Sequence, residues 1–347
     1  IVNILKDTLQ KLSDMRGVSG FEYRINDKIA DMMKPFCDEV YITAPGSVIG
    51  IKKAKNPTAK IMLEAHCDEI GLMVKNIDKD GFITFVTVGG VDRRILPSCE
   101  VTIHGKKDIW GVIGAKPPHL QTAGEAKKSV KIENMSIDTG LSYDEVTKYI
   151  AIGDSITLSQ SSGALLNHSF SGKSIDDRGG IAVLLDVMKN IRNTQLSCDI
   201  YFVAAVQEEV GLRGAKTAAY EVDPDMAIAI DVCHGITPDN SESAFETGSG
   251  TVISKGPNIH PKIAEKLQAL ADENKIKYSI DVDGGDTGTD AWTIQVTREG
   301  IATGLLSIPL KYMHTSVETV DLDDLTATSE LLSAFIKDTK EAEWLCC

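Results

Sequence analysis

Apolar residues are arranged in two textures along this chain. In the first forty residues Leu5, Leu9 and Leu12 share one stripe and Phe21, Ile25, Ile29 and Met32 another, each at helical spacing, so two amphipathic helices are predicted. Gly17-Val18-Ser19-Gly20 separates them, and Ser19 followed three positions later by Glu22 reads as a capping box for the second. From residue 60 the pattern changes to short, almost continuous apolar runs at 61–65, 201–206, 226–230 and 301–308, with helical periodicity at 181–191 and 263–270. Strands that do not alternate are buried on both faces, which predicts an α/β fold: a mostly parallel sheet with helices on both faces. A last helix is expected over 322–340, capped by Asp321, with Leu325, Leu332 and Phe335 inward.

Between about 70 and 165 helical periodicity nearly vanishes. Short β-prone pieces at 82–88, 100–103, 109–113 and 155–158 are punctuated by Gly81, Gly89-Gly90, Gly105, Gly111, Gly114 and Pro117-Pro118. This predicts a small β-barrel-like or sandwich domain over 70–165, inserted into an α/β domain formed by 1–69 and 166–347. A length of 347 residues suits two such units.

Charge narrows the partners. Thirty-six Lys and Arg against fifty Asp and Glu give a net charge of −14, which disfavours nucleic acid and anionic membranes and favours divalent cations. No apolar run reaches the ~20 residues that span a bilayer, and nothing at the N-terminus reads as a signal peptide. The seven cysteines are scattered, without a Cys-x-x-Cys pair, so a reducing, cytoplasmic location is expected.

Open α/β sheets bind ligands beyond the carboxyl ends of their strands. His66, Asp68, Glu208, Glu209 and Asp231 are each expected just past such an end, and His314 a short loop after the last one. Asp176 and Asp177 precede a helix starting near Gly179-Gly180 that faces the same rim. Imidazole and carboxylate together suit zinc, cobalt, manganese or iron rather than magnesium or calcium. A catalytic zinc takes about three protein ligands, so this rim holds too many for one ion. Two ions sharing a carboxylate, about 3.5–4 Å apart, resolve the count and form machinery for hydrolysis.

Each residue also has a structural explanation: a strand-end histidine, a solvated Glu-Glu pair, helix-capping aspartates. Convergence on one rim separates the two readings. Cys67 reads as a buried thiol, and 284–288 as a capping loop that lacks the lysine of a phosphate loop. There is no Gly-x-Ser-x-Gly elbow. His119 and His234 are left to loop or supporting roles.

The chain resembles the M42 family of metalloaminopeptidases, the glutamyl-aminopeptidase and tetrahedral-aminopeptidase group. The segments that carry the resemblance are Gly17-Val18-Ser19-Gly20-Phe21-Glu22, Ala65-His66-Cys67-Asp68-Glu69-Ile70-Gly71, Asp176-Asp177-Arg178-Gly179-Gly180, Gln207-Glu208-Glu209-Val210-Gly211, Asp231-Val232 and Tyr312-Met313-His314-Thr315. The resemblance implies two divalent transition-metal ions per subunit, zinc or cobalt. His66, Asp176 and Asp231 would hold one, and Asp176, Glu209 and His314 the other. It further implies that Asp68 orients His66 and that Glu208 is general base and then general acid, moving a proton from the bridging water to the leaving amine. Short peptides would be the substrates. The insert would be a dimerisation domain, and dimers would build a homo-oligomer up to a tetrahedral dodecamer. Two other functions remain open on the residues: an endoglucanase-type glycosidase, and a non-catalytic shell protein stapled by metal.

Overall fold

The computed structural model describes residues 2–124 and 127–341. Its centre is an eleven-stranded sheet in which Asp199–Ala205, Lys60–His66, Met226–His234 and Ala302–Lys311 lie side by side and parallel. These are the four apolar runs, and nearly every residue in them is buried. Antiparallel neighbours flank them: Val48–Lys52 and Glu39–Ile42 on one side, Glu318–Asp321, Ser169–Gly172 and Gly163–Ala164 on the other. Thr251–Lys255 also pairs with Ala302–Lys311 and carries Tyr278–Val282 beyond it.

Helices cover both faces. Ile175–Asn190, buried along most of its length, packs with Val2–Ser13 and Leu322–Asp338, while Arg213–Val222 packs with Asp290–Gln295. The last helix is capped as expected, Asp321 accepting a hydrogen bond from the Asp323 backbone N–H.

The strands Gly71–Ile77, Ile83–Val88, Ile137–Asp138, Asp108–Ile113, Glu100–His104 and Ser155–Leu158 close into a barrel. It has its own core, with Leu72, Phe85, Val101, Ile103, Ile113 and Ile156 at the centre. Among the described residues, no helix is long and apolar enough to cross a membrane.

Four local expectations are corrected. The capping box does not form: Glu22–Arg24 is a short 3-10 turn, Ser19 Oγ has no partner, and Glu22 Oε1 instead accepts from the Gln207 N–H at 2.9 Å. That turn shifts the helical phase, so the second helix, Asn26–Met33, buries Ile29 and Met33 while Met32 is only partly covered. Asp231 is not past its strand but inside it, since Met226–His234 continues three residues further. Thr287 does not cap the helix at 290; its hydroxyl donates to Asn258 Oδ1 at 2.7 Å.

Candidate metal centre

The parallel pairing sets the first part of the site. His66 closes its strand and Asp231 lies in the neighbouring one, so both side chains are carried by paired central strands of the sheet. Asp176 comes from the start of the Ile175–Asn190 helix, where Asp176 and Asp177 depart from helical dihedrals and are joined by a cis peptide bond. Glu208 and Glu209 follow the Asp199–Ala205 strand, and His314 follows Ala302–Lys311.

The distances bring these side chains into one cluster. His66 Nε2 is 3.0 Å from Asp176 Oδ1, and His314 Nε2 is 3.3 Å from Asp176 Oδ2 and 3.4 Å from Glu209 Oε1. Two groups of donor atoms, His66/Asp176/Asp231 and Asp176/Glu209/His314, each lie within 4.8 Å of one another. Asp176 belongs to both, one oxygen turned to each histidine. His66, Asp176, Glu208, Glu209, Asp231 and His314 all line one cleft of about 910 Å³. Asp177 is fully buried behind it, accepting from the Gly180 N–H, and His119 stands on an exposed turn. His234 lines the cleft.

Electrostatics show what the cluster needs. Burial, reinforced by neighbouring carboxylates, pushes Glu208 up to about 9, Glu209 to about 8 and Asp231 to about 7. Burial acts on Asp176 in the same direction, but hydrogen bonds from His314 and His66 outweigh it and hold the carboxyl below its ordinary value. The bond to Asp176 raises His314 to about 9. Ionised together with Asp176, the carboxyls of Glu208, Glu209 and Asp231 would carry more negative charge than two imidazoles can neutralise. Mixed nitrogen and oxygen donors around surplus buried negative charge fit divalent transition metals.

A second layer holds these groups. The carboxylate of Asp68, fully buried, accepts from the N–H groups of Glu208 and Glu209 at 3.1 and 3.2 Å, and its Oδ1 lies 3.5 Å from His66 Nδ1, beyond a good hydrogen bond. Glu318, which no sequence motif marks, joins two of the candidate ligands: Oε1 accepts from His314 N at 2.9 Å, Oε2 from Ile175 N and Asp176 N at 2.6 and 3.1 Å. The bond to His314 N pins a residue at φ 60°, a left-handed conformation that costs a histidine about 1–3 kcal/mol. Gly90, at the rim of the barrel, places its carbonyl 3.2 Å from His314 Nδ1, and a Cβ there would come within 2.6 Å of that ring. The barrel insert thus touches the site directly.

The buried network around Glu69 anchors both ends of this layer. Glu69 accepts from Arg178 Nη2 at 3.0 Å, from Lys173 Nζ, from Ser174 Oγ and from the Gly17 N–H at 2.8 Å. Arg178, with no exposed surface, also donates to the carbonyls of Cys67, Leu12 and Met15. Burial would raise Glu69, but Arg178 and Lys173 together hold it down to about 2. Burial, helped by the like charges of Arg178 and Arg16, outweighs the pull of Glu69 and lowers Lys173 to about 8. The contribution of Glu69 is complete above its unfolded value near 4.5 and is lost as pH falls toward 2, on the order of 3 kcal/mol. Glu69→Ala is expected to cost about 3–5 kcal/mol by stranding two buried cations, read as a lower urea midpoint at pH 7. It should also flatten acid unfolding between pH 4.5 and 2.

Comparison with known proteins agrees with this architecture. A family model described as M42 glutamyl aminopeptidase matches residues 46–331. The lysyl aminopeptidase of Pyrococcus furiosus is 35% identical over 344 residues, covering 97% of this chain and 98% of its own. Aminopeptidase APDkam598 from the archaeon Desulfurococcus kamchatkensis shares the fold with a TM-score of 0.92 at 37% identity, covering 99% of this chain and 97% of its own. The TET1 peptidase of Pyrococcus horikoshii, described as assembling into a tetrahedron or a large octahedral shell, has a TM-score of 0.86 at 32% identity, covering 96% of this chain and all of its own. With most of its length matched by the family model, this chain belongs to the M42 family of metal-dependent aminopeptidases.

Proposed function

We propose that this chain is a dinuclear aminopeptidase that removes amino-terminal residues from short peptides. The observation that supports it most is the pair of donor triads sharing Asp176, both open to the cleft that Glu208 also lines. His66, Asp176 and Asp231 would hold one cation, and Asp176, Glu209 and His314 the other. When bound, such a pair lowers the pKa of an attacking water and polarises the scissile carbonyl.

The protein's own groups do the rest. Glu208 Oε2 lies 4.0 Å from His66 Nε2, at the edge of the cluster and not among its closest donors. In this reading it takes the proton of the attacking water and delivers it to the leaving amine. Asp68 fixes the backbone that carries Glu208, and Glu318 fixes His314 and Asp176 relative to each other. A glycosidase would need two carboxylates flanking a sugar cleft, and would leave both histidines without a role.

The quaternary proposal rests on the relatives: residues 70–165 form a dimerisation domain, and the working form is a homo-oligomer built from dimers, with a tetrahedral dodecamer as its closed form. The five described cysteines are all free, consistent with a cytoplasmic, reducing location. Zinc and cobalt are the proposed ions. Dialysis against EDTA is expected to abolish release of amino-terminal residues, and added zinc or cobalt to restore it. Full activity after verified metal removal, or metal-independent cleavage of cellulose oligomers, would contradict this reading.

A further inference from the structure

The turn that carries the candidate base is held from behind. After the strand Asp199–Ala205 the chain passes Val206 and enters Gln207 at φ 58°, a left-handed conformation that a glutamine does not adopt freely. Gln207 directly precedes Glu208, so its backbone geometry helps to set the direction in which the Glu208 side chain leaves the turn. Three successive N–H groups donate to buried carboxylates. That of Gln207 donates to Glu22 Oε1 at 2.9 Å, and those of Glu208 and Glu209 to Asp68 at 3.1 and 3.2 Å.

Glu22, itself buried, is anchored to the other loop of the site. The Ser19 N–H donates to the Glu69 carbonyl at 3.0 Å, the Glu69 N–H to the Gly17 carbonyl at 3.1 Å, and the Gly17 N–H to Glu69 Oε1 at 2.8 Å. Gly20, at φ 85°, then turns the chain so that the Glu22–Arg24 turn reaches Gln207. Residues 17–22 thus form a strut between the loop after His66 and the turn that bears Glu208 and Glu209. Among the described residues, Glu22 is not part of the lining of the metal-centre cleft; it faces a separate recess of about 310 Å³ with Asn26 and Thr43. Its influence on a substrate at the metals therefore runs through the backbone.

We propose that Glu22 is a positioning residue for the reaction: by fixing the Gln207 N–H it aims the Glu208 carboxylate at the attacking water. The inference rests on the reading of Glu208 as general base. Metal ligands need such support less, because a bound cation draws His66, Glu209 and Asp231 into place. Glu208 is no ligand in that reading, so its direction depends on the backbone that carries it. A misplacement of about 1 Å at a reacting group can cost about 100-fold in rate. The contact is one hydrogen bond to a backbone N–H, and it requires an acceptor oxygen at the end of a two-methylene arm. Glutamine supplies that oxygen. Aspartate keeps the charge but is one methylene short.

The test uses the zinc-loaded protein and one peptide, with kcat and KM measured separately on samples of verified metal content. Glu22→Asp and Glu22→Ala are expected to lower kcat by about 10- to 100-fold, with KM within about twofold and metal content unchanged. Glu22→Asp, the smaller change, keeps the test if Glu22→Ala fails to fold. Glu22→Gln should hold kcat within about threefold of the natural enzyme. Glu208→Gln supplies an independent readout: because Glu22 acts through Glu208, adding Glu22→Asp to Glu208→Gln should slow the residual rate no further. A residue that only stabilised the fold would lower the melting temperature and leave kcat per metal-loaded site unchanged. An unchanged kcat in Glu22→Asp, a loss confined to KM, a Glu22→Gln variant as slow as Glu22→Asp, or equal losses with and without Glu208→Gln would each overturn the assignment and leave the base reading standing. Full turnover in Glu208→Gln itself would instead overturn the base reading, and this inference with it.

Discussion

Glu208→Gln is expected to reduce peptide hydrolysis at least ~100-fold while the protein keeps its metal and its assembly state. The amide has nearly the shape of the carboxylate, so packing at the cleft survives. It cannot accept and release a proton, so both proton transfers fail. Burial already holds Glu208 at about 9 in the absence of cations, a sign of how strongly the surroundings resist its charge. Bound dications would favour the ionised form, which the base role requires. The paired readout matters, because a protein that only staples its shell with metal would be indifferent to this substitution. Steady-state rates, metal analysis and sedimentation on the same sample decide the matter, and unchanged turnover would remove Glu208 from the mechanism.

Asp176→Asn is expected to deplete both ions, not one. Its two oxygens face opposite histidines at 3.0 and 3.3 Å, so the residue is common to both triads. An amide keeps one weak oxygen donor and turns a nitrogen toward the other site. The loss of negative charge also removes the group whose hydrogen bonds raise His66 and His314 most. Activity should fall below detection at ordinary zinc concentrations, and metal analysis after gel filtration should find far less than one equivalent per subunit. His66→Ala and His314→Ala should each empty one site preferentially. Retention of two equivalents by Asp176→Asn would show that the bridge is assigned to the wrong residue.

Much of this architecture was legible in the sequence, for a physical reason. Central parallel strands are buried on both faces, so their near-continuous apolar runs stand out, and chemistry collects where those runs end. His66, Glu208 and Glu209 follow that rule. Asp231 shows its limit, since a carboxylate facing the candidate metal cleft can sit inside a strand that then continues through Val232, Cys233 and His234. The apolar run at 301–308 likewise stops short of the strand Ala302–Lys311, which continues through Pro309.

The supporting groups were harder to see because their partners are remote in sequence. Glu318 lies four residues from His314, but its role depends on Ile175 and Asp176, more than 140 positions away. The Ser19 and Glu22 spacing matched a capping box, yet the turn around Gly17 and Val18 is pinned to Glu69, and Glu22 is drawn to the Gln207 N–H instead. A local pattern lost to a tertiary hydrogen bond. Arg178 stands inside the Asp176-Asp177-Arg178-Gly179-Gly180 segment, and only the fold shows that it closes the network around Glu69.

The central claim is that two cations share Asp176. Anomalous diffraction from crystals of the zinc-loaded protein, collected on both sides of the zinc edge, tests it most directly. The account predicts two peaks about 3.5–4 Å apart on either side of the Asp176 carboxylate, one beside His66 and Asp231 and the other beside Glu209 and His314. A single peak, or two peaks that do not both contact Asp176, would contradict it.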